Sequence, residues 1–319
     1  MPALDLRLAR VAFAGMIAWV ALLFVPLAAA PGPSQEAAHL VLLAPLVLAP
    51  LFLAASVPSG FGRAPRLLTA ASWAMLPASV SAAAGLVVPA GPVAGALVVP
   101  WGLVTGLLAL WALGGAWRRR RAGGLSVSEA VLAVGWATLP AGAAWLFLTR
   151  SGIETGYGEL AATLATAHVH YAGAFTAVWA GLLGRLVAPG LVRVHAGLAV
   201  ALVVGFWGVV GGIALGPAGG PGVVAAGGLV LTVGAAGLGL LGLWEARRID
   251  DRAAGLMVAA SGGSLVLAMA LAAGFHVGGR GGGPDVASMV GRHGWLVAFG
   301  FGLWGALGWR RVRPRPRSG

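Results

Sequence analysis

Apolar residues in this chain fall in ten long blocks, near residues 11–29, 37–56, 67–88, 92–114, 127–149, 159–184, 191–216, 222–244, 253–275 and 293–309. Most approach the roughly 20 residues that a helix needs to cross the hydrocarbon core of a bilayer. The gaps are mostly Gly, Pro and Arg, which turn the chain between helices. Charged residues make up only 9% of the 319 positions against 59% hydrophobic, too little polar surface to coat a water-soluble core of this size. The pattern predicts an all-α, polytopic transmembrane bundle of about ten helices, one domain over 1–309. A basic, proline-broken cytoplasmic tail over 310–319 is expected to be disordered and to lie on anionic headgroups.

The arginines supply an orientation. All 21 basic residues are arginine. Threading the chain through ten spans puts eighteen of them on one side, including Arg118 to Arg121 and the group from Arg310 onward. Arg150, Arg280 and Arg292 are the three on the other. Such a bias assigns the first side to the cytoplasm, giving a multipass inner-membrane protein with both termini inside. Arg7 and Arg10 before an apolar run ending in Ala28-Ala29-Ala30 also fit a secretory signal peptide. Cleavage there would leave the other nine helices oriented as before. The net charge of +12 is explained by topology and anionic lipid, and without a basic helix or aromatic platform nucleic acid is not an expected partner. The absence of cysteine excludes thiol catalysis and thiolate metal sites. No phosphate loop, dinucleotide fingerprint or zinc-protease motif is present, so no cofactor is expected.

Ionisable groups inside a membrane are costly and therefore mark functional sites. His168 and His170 fall near the middle of the sixth block, His39 near the outer end of the second, and His276 and His293 at the outer ends of the ninth and tenth. Glu36 and Asp285 lie at the same level, and the loop from Arg150 to Glu159 adds Glu154 and Tyr157. Together they predict a polar cavity opening outward. Glu159, Thr163, Thr166, His170 and Gly173 are spaced four, three, four and three apart, which places them on one helical face. His168 would lie opposite His170, beside Tyr171. Polar groups on both faces predict that this helix is surrounded by protein at the bundle centre. Two imidazoles two residues apart diverge on a helix and cannot chelate one ion together, so no metal site is assigned. Convergence of His168, His170 and His293 is expected instead. His195, beside Arg193 at the cytoplasmic edge, is expected to be solvated and dispensable. Gly208 and Gly212 would allow close helix packing, and Pro140 is expected to kink the fifth helix.

The stretch from Gly135 to Trp145, GWATLPAGAAW, leads into Thr166-Ala167-His168-Val169-His170-Tyr171-Ala172-Gly173. It resembles the YndJ-like family of bacterial membrane proteins, in which His-x-His-Tyr/Phe-Ala-Gly is the hallmark. His293-Gly294-Trp295-Leu296-Val297-Ala298-Phe299-Gly300-Phe301 resembles that family's His-Gly-x-x-Asn-Ala-x-Gly-Phe motif, with Val297 where the family usually has Asn. The prolines of the second block, Pro45 and Pro50, also fit. The resemblance implies a transporter-like protein, in which an outward-opening histidine site would suit proton coupling. The alternative is a membrane-embedded enzyme acting on a lipid or isoprenoid-like substrate. There His168 or His170 would be the acid or base, with His293 alongside, Tyr171 a donor, and Glu36 or Asp285 an orienting carboxylate. Either way the expected partners are membrane lipids and a small apolar or amphipathic molecule contacting Glu36, His39, Glu159, Thr163, Thr166, His276 and Asp285. The short loops specify no oligomeric state.

Overall fold

The structure is a computed structural model that describes residues 2–28, 32–57, 65–278 and 285–312, without the side chains of Pro2, 217–219 and 276–278. Among these residues the chain forms ten helical rods and no strand. They are α1 (Pro2–Leu22), α2 (Pro33–Ser56), α3 (Arg66–Val87), α4 (Pro92–Arg121), α5 (Val127–Arg150), α6 (Glu159–His168, Val169–Phe175 and Thr176–Gly184), α7 (Val192–Ala214), α8 (Gly216–Glu245), α9 (Arg252–Gly278) and α10 (from Val286–Met289 to Trp304–Arg311). The ten expected helices are all there. Seven are long and apolar enough to cross a membrane by length and composition, while α1, α6 and α10 fall short. Those three carry Asp5, Arg7 and Arg10, the His168-His170-Tyr171 group, and Arg292 with His293.

Two helices extend past their apolar blocks because their charged ends find partners. In α1, which begins at Pro2, Arg7 donates to Ser72 Oγ at 3.0 Å and stacks over the Trp73 ring. The α10 helix continues to Arg311, so Arg310 and Arg311 are helical; residues 313–319 of the expected tail lie outside the described residues.

The centre of the bundle is α2 rather than α6. Of its most apolar stretch 94% is buried, against 28% for α7, α8 and α9. A helix that is apolar all round gains by taking the core. The α6 helix is buried from His170 onward, whereas His168 is exposed. At the periphery α7 and α8 form a glycine-lined hairpin. A Cβ on Gly205 would sit 2.3 Å from Leu231 N, and one on Gly212 2.7 Å from Val224 N. Only hydrogen at these positions lets the two backbones approach so closely.

Three rods are interrupted by wider π-helical turns: α2 at Ala44–Leu48, α6 at Val169–Phe175, and α10 at Val290–Gly294 and Leu296–Leu303. In α2 the cause is proline. Pro45 has no N–H for Val41 O, so the Ala44 N–H turns to that carbonyl, and Leu40 O is left to accept from Tyr171 Oη of α6 at 2.8 Å. Pro50 cannot serve Pro45 O, which accepts from Ser79 Oγ of α3 at 2.9 Å instead. The freed carbonyls thus become the bonds that tie α2 to α6 and α3.

One end of the bundle is clasped by ion pairs. Glu129 accepts from Arg185 at 2.8 Å and lies 3.4 Å from Arg119, linking α4, α5 and α6. Arg310 pairs with Asp5 and Arg311 with Asp251, closing α10 onto α1 and onto the α8–α9 turn. These residues belong to the set that alternation of the spans predicts to share one side.

Candidate functional site

At the opposite end, beneath the 151–158 loop, a cavity of about 310 Å³ opens between α2, α3, α5 and α6. One wall is apolar, formed by Ala38 and Val41 of α2, Leu86 of α3 and Leu146 of α5. The other carries Glu159, Thr163 and Thr166 of α6, with Thr149 and Arg150 of α5 and Glu154 of the loop. Apolar lining with a few convergent polar groups is the ordinary make-up of a small-molecule site. Three of the residues singled out from the sequence therefore meet here, since spacings of four and three keep them on one face.

The polar wall has a definite hydrogen-bonding sense. Thr163 Oγ1 donates to Glu159 O at 2.9 Å, Thr166 Oγ1 to Ala162 O at 3.1 Å, and Thr149 Oγ1 to Leu146 O at 3.0 Å. Each hydroxyl thereby spends its proton on its own helix and offers lone pairs to the cavity. Arg150 is 6% exposed and is engaged by the scaffold: Nε donates to Gly85 O at 3.0 Å, Nη1 to Ala28 O at 3.2 Å, and Nη2 to Val88 O at 2.6 Å. It thus caps the C-terminal carbonyls of α3, where a cation is favoured. With two carboxylates and three acceptor hydroxyls around one cation, which also feels the charge of Glu159, the wall holds more acceptors than donors.

The stripe does not continue as expected. Below Thr166 the π turn begins at Val169, each residue advances the helix by a smaller angle, and His170 and Gly173 part company. His170 is fully buried. Its Nδ1–H donates to Thr166 O at 2.8 Å, and Trp101 of α4 donates its indole N–H toward Nε2 at 3.4 Å with the rings stacked. A Cβ on Gly142 of α5 would lie 2.6 Å from the imidazole. Gly173 faces Phe206 of α7. Thr166 thus lines the cavity with its side chain and holds the buried His170–Trp101 pair through its carbonyl.

The expected convergence of three histidines is corrected accordingly. His170 faces α4 and α5, away from α10. His168 and His293 lie within electrostatic reach of each other. Each anchors Nδ1–H on a backbone carbonyl, Leu164 O at 2.8 Å and Ala268 O at 3.0 Å. Tyr171 is buried with its hydroxyl on Leu40 O. Glu36 accepts the indole N–H of Trp295 beside Gly291, bringing α2 against the α10 motif. His39 donates from Nε2 to Leu22 O at 3.0 Å. Asp285 caps α10, accepting from Ser288 N at 2.7 Å. The side chain of His276 lies outside the described residues. Val297 packs against the apolar core. His195 is 2% exposed and donates to Ala180 O at 2.8 Å, so it is a packed core histidine and not the solvated one expected. Among the described residues no three histidine or carboxylate side chains are placed to hold one metal ion.

The chain as a whole can also be classified. The family model for YndJ-like proteins matches residues 39–301. The chain belongs to the YndJ-like family. No curated protein and no solved structure matches it. In this YndJ-like chain the two histidine-bearing segments that carried the resemblance overlap the π turns of α6 and α10, and Pro45 lies in that of α2. Such turns are enriched at functional sites.

Sequence reasoning missed Arg150 as the organiser of the cavity, placing it only as one of three arginines on the sparse side. The signal was available: a lone arginine ending an apolar helix, where the carbonyls of a neighbouring helix end need a donor.

Proposed function

We propose that this protein is a transporter-like membrane protein that admits a small amphipathic molecule to the cavity beneath the 151–158 loop. The observation that carries this is where the cavity stops: its deepest α2 and α6 residues, Val41 and Thr166, lie three residues before the π turns at Ala44 and Val169. Interrupted helices recur at the substrate sites of transporters, and π turns recur at functional sites. Annealing the π turn of α6 into regular helix would rotate His170 away from Trp101 and open the cavity below Thr166. The acceptor-rich wall suits a head group that donates hydrogen bonds, an ammonium above all, with its apolar body against Val41, Leu86 and Leu146. In this proposal the arginine-rich end faces the cytoplasm of a cell inner membrane and the cavity faces outward.

The enzyme alternative draws less support, because His170 and Tyr171 have their polar atoms engaged by the scaffold and stand apart from His168 and His293. The decisive experiment uses the absence of cysteine. Thr166→Cys in oriented vesicles is expected to react with an impermeant maleimide quickly from the 151–158 face and slowly from the arginine-rich face. Labelling from the 151–158 face alone would rule out transport. Octylammonium is expected to raise the melting temperature of the purified protein and octyl sulfate is not, with the difference lost in Thr166→Val/Glu159→Gln.

A further inference from the structure

A second concavity lies at the arginine-rich end, on the outer surface between α7 and α8. It is an open groove of about 460 Å³ walled by Leu191, Val194, Leu198, Leu240, Leu241 and Trp244. Val194, Leu240 and Trp244 are each half exposed or more, so the groove is a surface feature at the rim of the bundle. Its apolar walls run along two membrane-crossing helices, and its mouth is basic. Arg247 holds its guanidinium 4.3 Å from the centre of the Trp244 ring, fixed over a groove wall. Arg193 is exposed between the wall residues Leu191 and Val194. Among the described residues neither arginine forms an ion pair, as is true of Arg118, Arg120 and Arg121 at the same end; what sets Arg193 and Arg247 apart is their place beside the groove walls. Two cations left uncompensated above an apolar slot form a complement to one chemistry, an anionic head carried on an acyl chain. An indole at the mouth suits the headgroup level of a bilayer.

We propose that this groove is a specific site for an anionic phospholipid of the leaflet at the arginine-rich end. One acyl chain lies along Leu198 and Leu240, and the phosphate is shared by Arg193 and Arg247. The glycines that draw α7 and α8 together shape the slot, so the lipid would bridge this peripheral hairpin to the surrounding leaflet.

The test uses the full-length protein in maltoside micelles doped with phosphatidylglycerol or, separately, phosphatidylcholine, with retained lipid counted by native mass spectrometry. The wild type is expected to retain phosphatidylglycerol in preference to phosphatidylcholine. R193A/R247A is expected to bind phosphatidylglycerol roughly thirtyfold more weakly, as two lost arginine–headgroup attractions imply. L240W, which fills the slot from an exposed position without disturbing the core, should displace the lipid with both arginines intact. The control R120A/R121A removes the same charge from the same end and should retain the lipid. Equal retention of the two lipids, or equal loss in the control, would overturn the proposal in favour of a diffuse basic surface. Retention by L240W would place the lipid outside the groove and overturn it as well.

Discussion

At the scale of single residues, the polar groups inside this bundle are held by carbonyls, and their worth follows from what each would leave behind. Arg150 satisfies three carbonyls on two other segments, Ala28 O, Gly85 O and Val88 O. Arg150→Met removes every donor, and stranding buried acceptors costs about 2–4 kcal/mol in all; unfolding in mixed micelles should show it, and unchanged stability would remove the capping role. His170 and His168 should separate in the same measurement. His170→Ala opens a void between Trp101 and Gly142 and leaves Thr166 O unserved, at a cost of about 2 kcal/mol. His168→Ala changes an exposed side chain and should stay within about 0.5 kcal/mol of wild type. His195→Ala, expected from sequence to be silent, should behave like His170→Ala because its imidazole is packed and bonded.

Elements are set by what their backbones can and cannot donate. In α2, Pro45 diverts the Ala44 N–H and so presents Leu40 O to Tyr171. Pro45→Ala would restore an N–H for Val41 O and let Ala44 return to Leu40 O, making the Tyr171 hydroxyl redundant. Tyr171→Phe should therefore cost about 1 kcal/mol in the wild type and much less in the Pro45→Ala background, a coupling that a double-mutant cycle resolves. Additive losses would show that the two are independent. The α7–α8 hairpin depends on the opposite property, the absence of side chains. A Cβ on Gly227 would lie 2.6 Å from Val209 N and 2.8 Å from Gly208 C. Gly227→Val should thus force the helices apart and destabilise the fold by about 1–3 kcal/mol. Gly228→Val, one residue on with nothing near its Cβ, should be tolerated.

Across the described residues, ion pairs gather at one end and a ligand-sized cavity lies at the other. The ion pairs Asp5–Arg310, Asp251–Arg311 and Glu129 with Arg119 and Arg185 gather the ends of seven helices at the basic end. The Asp251 carboxyl is held below its ordinary value of 3.8, first by the Ala254 N–H and then by Arg311. A lowered folded-state value means that this stabilisation is present in full above the ordinary value and fades as pH falls through the lowered one. The closure of α10 onto the α8–α9 turn should accordingly persist at pH 5 and loosen only in stronger acid. Orientation is tested by impermeant labelling. Ile153→Cys is expected to react from outside the cell and Ala122→Cys only after permeabilisation; the reverse would invert the threading.

The sequence by itself determined the ten helices and the apolar character of seven of them, because long apolar blocks follow from the thickness of hydrocarbon, which needs no knowledge of neighbours. It also determined the α6 stripe from Glu159 to Thr166, a property of 3.6-residue geometry. Tertiary structure decided where that geometry stopped. The π turn at Ala44 depends on partners in other helices for the carbonyls it releases, and the one at Val169 turns His170 onto a surface that α4 and α5 supply, so no local pattern foretold that His170 would turn to Trp101 instead of His293. The choice of α2 over α6 as the centre, and the burial of His195, likewise rest on which apolar faces meet. A one-dimensional pattern ranks helices by composition, but packing ranks them by the surfaces their neighbours leave to be filled.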